Sequence, residues 1–167
     1  MSEKIAEYLV ATLGENFSPE VVAFIVSLLP ILELRGGLFA AKLMGVDFFK
    51  AFIICFTGNV LPIPFILLFI RKIFAWMKKI PKIEEIITKL EARSLRKADS
   101  VKKYRIIGLI LFVGIPLPGT GAWTGALIAD LLDMRIKHSF PAIVFGVLIA
   151  GLIISALSYG LLGFLGV

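Results

Sequence analysis

Apolar residues along the chain fall into stretches of two lengths, and the longer kind predicts membrane-crossing helices. Residues 51–70 and 140–167 carry no charged side chain. A helix needs about 20 apolar residues to cross about 30 Å of hydrocarbon, and both stretches reach that length. With their flanking residues they predict transmembrane helices over 48–77, where Pro62 and Pro64 kink the helix, and over 138–167.

The other two apolar stretches are interrupted near their middle. In residues 20–46 an apolar run ends at Glu33, and in residues 106–133 a similar run ends at the sequence PLPGTG, residues 116–121. The pieces on either side are about half a bilayer long at about 1.5 Å per residue. The pattern predicts two re-entrant helical hairpins, each made of two half-helices.

An alternative topology makes these interrupted stretches ordinary kinked spans. The chain would then cross four times, with both termini and the basic segment inside. Glu33 and Arg35 would lie in one continuous helix, where residues two apart do not share a face and cannot readily neutralise each other. The hairpin interpretation is therefore preferred.

Two further segments have helical spacing without the length to cross a membrane. In residues 1–17, Ile5, Tyr8, Leu9 and Leu13 fall at helical spacing and form one face, which predicts an amphipathic helix in the membrane interface. Ser18 and Pro19 then supply the start signal of the next helix. The opening residues alternate charged and apolar side chains and do not resemble a secretory signal.

The segment 78–105 is strongly basic and is predicted to be cytoplasmic. Residues 71–105 hold 12 of the 18 Lys and Arg residues and only four acids, so the positive-inside rule places them in the cytoplasm. Proline 81 begins a predicted amphipathic helix with one apolar face, and Glu85 and Lys89 form an i,i+4 pair. Contact with solvent or the lipid surface and docking of a partner are the two alternatives for that helix. The residues of the predicted apolar face are Ile83, Ile86, Ile87 and Leu90.

The order of elements repeats within the chain. A shift of 86 positions places Pro30 on Pro116, Ala40 on Ala126 and Asp47 on Asp133. With the basic segment inside, the two halves would cross the membrane in opposite orientations, as in many secondary transporters. The interruptions would then lie near the membrane midplane, where irregular backbone is tolerated only if protein buries it or it lines a polar cavity.

Charged and glycine residues at the first interruption are the leading functional candidates. Glu33 and Arg35 would each cost about 2.5–3.5 kcal/mol at the centre of an inserted helix, so charges at that depth point to function. The carboxylate could take up and release a proton, and Arg35 with the amides of Gly36 and Gly37 could hold an anionic headgroup. A fixed ion pair that only closes the interruption is the alternative.

The second interruption offers prolines, glycines and a hydroxyl. Prolines remove backbone donors, glycines allow close backbone approach, and no lysine follows as in a phosphate-binding P-loop. Asn59, in the first long span, could hydrogen-bond a hairpin tip or simply pack there. The candidate residues of the second interruption are Pro116, Pro118, Gly119, Thr120, Gly121 and Trp123.

Composition places the chain among all-α integral membrane proteins. It is 59% hydrophobic with a mean hydropathy of +0.96, too apolar for a soluble fold of this length. The net charge of +6 indicates contact with anionic membrane lipids rather than nucleic acid. One cysteine and one histidine predict neither a disulfide nor a metal site, and no cofactor is expected. The hydrolase and metalloprotease motifs GxSxG and HExxH are missing, which argues against an enzyme.

The blocks LPILELRGG, GNVLPIPFILLF and GIPLPGTGAWTGALIA resemble the prokaryotic small multi-drug export protein family, itself similar to the DedA superfamily of membrane transporters. The resemblance implies re-entrant hairpins packed against spanning helices and, for DedA-like relatives, ion-coupled movement of lipid-linked phosphates. It also implies roles for Glu33 and Arg35. The second interruption departs from the DedA pattern because it contains no acid or arginine.

These observations lead to one preferred function and one alternative. The first is a small secondary transporter of the prokaryotic plasma (inner) membrane that moves an amphipathic or lipid-like substrate. It would act as a homodimer, because so few helices poorly enclose two hairpins. The alternative is a membrane scaffold or lipid-binding protein that acts through its basic cytoplasmic segment.

Overall fold

A computed structural model describes residues 2–117 and 119–157 of the chain. Over these residues the secondary structure is helical without strands, which confirms the all-α class. The helices are α1 (Ser2–Leu13), α2 (Pro19–Leu28), α3 (Glu33–Leu43), α4 (Phe48–Val60), α5 (Ile63–Met77), α6 (Pro81–Arg96), α7 (Asp99–Gly114), α8 (Ala122–Leu131) and α9 (Ile136–Ser155).

Two helical segments in the described ranges are long and apolar enough to cross a membrane. They are Phe48–Ile70, with mean hydropathy 2.3, and Ile136–Ser155, with mean hydropathy 2.0. Together with the composition, they identify a membrane protein. Within the predicted kinked helix 48–77, Leu61 and Pro62 separate α4 from α5. Prolines here remove backbone donors that a continuous helix needs.

The chain forms two compact units. Unit 1 comprises Met1–Pro62 and Val147–Val167, and unit 2 comprises Ile63–Gly146. Helix α9 therefore begins in unit 2 and ends in unit 1. Its predicted continuation over residues 158–167 lies outside the described residues.

Helix α1 belongs to the apolar core of unit 1. Ala6 is fully buried, and Ile5, Leu9 and Leu13 pack against its cluster. Tyr8, predicted on the same face, is 70% exposed. The helix itself is confirmed, while its position in the membrane interface remains a prediction.

Both interrupted stretches fold as pairs of short helices packed side by side. In unit 1, α2 and α3 are joined by connection 1, residues 29–32, and in unit 2, α7 and α8 are joined by connection 2, residues 115–121. Helix α7 bends at Arg105, whose φ is 50°, and this bend coincides with the predicted boundary at 105/106. Connections this short make each pair antiparallel.

The apolar face of helix α6 is only partly packed. Ile87 is 4% exposed and packs with Phe74 of α5 and Leu127 of α8, whereas Ile86 is 65% exposed. Of the predicted apolar face, the row containing Ile83 and Ile87 meets the neighbouring helices, and the row containing Ile86 does not. The predicted Glu85–Lys89 ion pair is present at 2.5 Å.

This division gives a matched pair of stability variants. Ile87→Ala should lower the free energy of unfolding by about 2–5 kcal/mol because it empties a packed site. Ile86→Ala should change it little, because that side chain contacts few protein atoms. Thermal unfolding of the purified protein in detergent would compare them. Equal loss in both variants would contradict the packing of α6.

Candidate functional site

The candidate site in unit 1 lies where α2, α3 and α4 meet. Lys50 Nζ at the start of α4 is 2.6 Å from Glu20 Oε1 at the start of α2. Further along both helices, the backbone carbonyl of Phe24 lies close to Gly58. Helices α2 and α4 therefore run parallel, and the ends of both point toward connection 1.

Gly37 allows the three helices to approach closely. A Cβ atom at Gly37 would lie 1.8 Å from Ser27 Oγ on α2 and 3.0 Å from Cys55 Sγ on α4. Ser27 Oγ donates a hydrogen bond of 2.8 Å to the carbonyl of Ala23. Only glycine leaves room at this crossing.

Glu33 is buried at the point where the chain leaves connection 1. Glu33 is 7% exposed, and its backbone N–H donates a hydrogen bond to the Leu29 carbonyl at 2.8 Å. Its φ is 50°, in the left-handed region that residues other than glycine seldom adopt. Arg35 is half-buried and interacts electrostatically with Glu33. An acid and a base thus share this end of the hairpin.

Two buried polar atoms of unit 1 have no hydrogen-bond partner among the described residues. Asn59 is 2% exposed and Ser155 is 3% exposed, and the atoms concerned are Asn59 Oδ1 and Ser155 Oγ. Asn59 was predicted to hydrogen-bond a hairpin tip. Buried polar atoms are nearly always hydrogen-bonded, so an unpaired one suggests a missing ligand or another state of the protein.

Asn59 lies at the same end of the bundle as Glu33. Gly37 and Cys55 adjoin each other. Glu33 is one helical turn from Gly37 and Asn59 is one turn from Cys55, in both cases toward connection 1. The buried carboxyl and the unpaired amide oxygen therefore lie at the same level beside connection 1.

The two glycines of the first interruption serve packing. The Gly36 N–H donates to the Leu32 carbonyl at 2.8 Å, so that amide is not available to a ligand in this conformation. Gly37 packs against Ser27 at its Cα. Anion binding by the Gly36 and Gly37 amides stays a prediction.

Hydrogen bonds of Thr120 stabilise connection 2. Thr120 Oγ1 accepts from the Leu117 N–H at 3.1 Å and lies 2.9 Å from the Ile115 carbonyl. Gly119 and Gly121 have φ values of 75° and 152°, which favour glycine. The remaining candidates are Pro116, within the connection, Trp123, half-buried in the first turn of α8, and Pro118, which lies outside the described residues.

A lysine that the sequence did not suggest reaches connection 2. Lys97, the residue after α6, places Nζ 3.1 Å from the Gly119 carbonyl. The second interruption contains no charge of its own, yet the fold brings a cation to it. Residues 22 positions apart give no periodic signal, so only the tertiary structure reveals the contact.

The same three-helix contact occurs in each unit. Gly58 adjoins Phe24 and Ser27 in unit 1, and Gly146 adjoins Ile110 and Val113 in unit 2. Likewise Gly37 adjoins Ser27 and Cys55, and Gly125 adjoins Val113 and Ile143. Equivalent contacts therefore occur in both halves of the chain.

The equivalent contacts also correct the predicted shift of 86 positions. That shift holds for the first helix of each hairpin, since α2 ends at Leu28 and α7 at Gly114. Connection 2 is longer, and from there the shift is 88. The Val46 N–H donates to the Ala41 carbonyl, and the Met134 N–H donates to the Ala129 carbonyl, both at 2.9 Å. The equivalent of Asp47 is therefore Arg135.

Unit 2 also contains a charged cleft at the far end of α8. Its volume is about 490 Å³, and Lys72, Asp130, Asp133 and Arg135 contribute both signs of charge to its lining. Among the residues described in the two ranges, no three His, Cys, Asp or Glu side chains converge as a metal site would require.

Comparison with protein families assigns the chain. The model of the family described as "Putative small multi-drug export protein" matches residues 33–153. The chain belongs to this family. No curated protein and no solved structure matches it. The matched residues begin at Glu33 and include α3, Asn59, connection 2 and α8.

In this export-family protein the two halves of the chain differ in polarity at equivalent positions. The polar residues all lie in the first half, while the second half has apolar side chains or glycine. Since the second half forms the same contacts without them, the helix packing does not require these polar groups. The equivalent pairs are Ser27 and Val113, Glu33 and Gly121, Cys55 and Ile143, and Asn59 and Val147.

Proposed function

We propose that this protein is a small secondary transporter of the prokaryotic plasma membrane, coupled to protons. It moves an amphipathic or lipid-like substrate by alternating access and works as a homodimer. Its membership of an export family supports transport, and its apolar composition supports a site within the membrane.

The observation that carries the proposal is the burial of Glu33. A carboxyl that is 7% exposed in so apolar a chain is costly unless the protein uses it. Its left-handed backbone and its position at the end of a short helix hold it at the hairpin tip. A buried carboxyl can bind and release a proton as access alternates.

The position of Arg35 favours a substrate that has an anionic group. It is half-buried beside Glu33, and a guanidinium binds phosphate or carboxylate through paired hydrogen bonds. We therefore propose that the substrate has an apolar body and a phosphate or carboxylate group. Membrane lipids with such headgroups fit that description.

The proposed topology makes both hairpins re-entrant. The pair α2–α3 opens to the outside, and the pair α7–α8 opens to the cytoplasm, where the basic segment also lies. Support comes from the internal repeat, from half-bilayer helix lengths and from the charge bias of residues 71–105. The two halves form an inverted repeat in this scheme.

Purified protein in liposomes tests this function. Two probes cover the proposed substrate class, an NBD-labelled phosphatidylglycerol followed by dithionite quenching and ethidium followed by its fluorescence. At least the anionic probe should move faster than in protein-free liposomes when a pH gradient is applied, and a protonophore should abolish the difference. Movement of neither probe, or movement indifferent to the gradient, would contradict proton-coupled transport of this substrate class.

The scaffold alternative is favoured by one observation on α6. Its outward face exposes Ile86 at 65% and Leu90 at 42%, among basic residues that suit an anionic lipid surface. Deleting the basic segment 78–105 would not discriminate between transporter and scaffold. Ile87 in that segment packs against α5 and α8, so the deletion would also disturb the fold. Ile86→Gln with Leu90→Gln should leave the liposome assay unchanged if transport is the function. Retained binding to anionic vesicles by a protein that moves neither probe would favour the scaffold.

A further inference from the structure

We infer that Asn59 senses the protonation state of Glu33. In the proton-loaded state the protonated Glu33 carboxyl donates a hydrogen bond to Asn59 Oδ1, and Arg35 is released to bind the anionic group of the substrate. This inference rests on the proposed transport function and specifies how the proton and the substrate share one site.

The unpaired oxygen of Asn59 calls for a hydrogen-bond donor. Asn59 is 2% exposed and its Oδ1 has no partner in the described structure. An ionised carboxylate can only accept hydrogen bonds, whereas a protonated carboxyl also donates one. The structure thus contains a buried acceptor, and the protonated form of Glu33 can supply the donor that it lacks.

The helix geometry brings the two groups to the same level. Glu33 and Asn59 each lie one turn from the contact between Gly37 and Cys55, on the side of connection 1. Asn59 and Cys55 share one face of α4, since they are four residues apart.

The other titratable groups around Glu33 are few. Helices α1, α2 and α4 pack against α3, and the described part of α9 in unit 1 carries no titratable side chain. Arg35 interacts with Glu33 directly, and Cys55 is the buried thiol beside Gly37. Glu20 and Lys50 pair with each other at 2.6 Å. The remaining titratable side chains described on these four helices are exposed, and they are Lys4, Glu7, Tyr8, Lys42 and Asp47.

The comparison of the two halves indicates that the proton site is single. In the second half of the chain, Val147 occupies the position of Asn59 and Gly121 occupies that of Glu33. Neither residue has a side chain that can bind a proton or accept a hydrogen bond. Each chain therefore couples one proton through unit 1.

The proton step balances in charge. A proton from water binds the carboxylate, which becomes neutral, and the pair of Glu33 and Arg35 changes from no net charge to one positive charge. The guanidinium is then available to one anionic group on the substrate. Loss of the proton restores the original pair and favours release of that anion.

Infrared difference spectroscopy of the purified protein in liposomes, titrated with pH, tests the inference. Acidification should produce a carboxylic C=O band that is missing in Glu33→Gln. In Asn59→Val the protonated carboxyl loses its acceptor, so the band should move to higher frequency and proton affinity should fall about three- to tenfold, as expected for the loss of one hydrogen bond. Asn59→Gln should restore both towards the native values.

Valine is a conservative choice because the second half of the chain has Val147 at the equivalent position, and Val147→Leu is the matched control that should leave band and midpoint unchanged. If Asn59→Val has the native band and midpoint, the inference is wrong. Transport would still depend on Glu33 in that case. Failure of the proposed function shows differently, as pH-gradient-driven probe movement that persists in Glu33→Gln whatever the spectrum.

Discussion

Glu33→Gln should reduce pH-gradient-driven movement of the anionic lipid probe to the level of protein-free liposomes. Glutamine has nearly the same shape as glutamate and keeps its hydrogen-bonding capacity, but it cannot exchange a proton. The variant should fold, because it removes a buried charge, whose burial is costly. Movement in the absence of a gradient is the second measurement, since a protein locked in one protonation state can still carry substrate down its own gradient.

Glu85→Gln is the matched control for this substitution. Glu85 also lies in a helix and also pairs with a cation, but its side chain is 73% exposed. An exposed pair contributes little to stability, so this variant should transport as the native protein does. Gradient-driven movement that is equal in the two variants would remove Glu33 from the coupling mechanism.

The second large effect is expected on stability. Gly37→Ala would place a Cβ atom 1.8 Å from Ser27 Oγ and 3.0 Å from Cys55 Sγ, so α2 and α3 must separate. Overpacking of this kind costs about 1–3 kcal/mol or more, and it acts at the centre of the proposed site. Thermal unfolding in detergent, followed by size-exclusion chromatography, should show a clearly lower melting temperature.

A second substitution in the same contact provides the control. Ser27→Gly removes the side chain that an alanine at Gly37 would meet, so the double variant should recover part of the lost stability. Gly125→Ala, at the equivalent position of unit 2, should cost less, because its 2.5 Å contact is with Cγ2 of Val113, a terminal methyl group. A melting temperature of Gly37→Ala equal to that of the native protein would contradict the close approach of α2 and α3.

Much of the helix arrangement could be predicted because it depends on local patterns. Pro19 begins α2 as its position after Ser18 indicates, and charges or prolines end the half-helices where the apolar runs stop. The prolines of the first long span predict a kink, and the structure has a break between α4 and α5 at Leu61–Pro62. The sequence does not show which row of the apolar face of α6 meets a neighbouring helix.

The sequence predicts the charged residues of the candidate site but not their arrangement in space. Glu33 stands out in an apolar chain, but its left-handed backbone and its level relative to Asn59 depend on how three helices meet. The adjacent glycines suggested an anion cradle, whereas Gly37 is needed for close packing with Ser27. The contact of Lys97 with Gly119 depends entirely on tertiary structure.

The most direct test of the account is the membrane orientation of the two hairpins. Asp47 and Arg135 follow the hairpins at equivalent positions and are both exposed. Each would be replaced by cysteine in a Cys55→Ile background, because isoleucine occupies the equivalent position 143. In intact cells and inverted vesicles, an impermeant maleimide should label position 47 only from outside and position 135 only from the cytoplasm. Labelling of both positions from the same side would contradict the inverted repeat and the transport mechanism built on it.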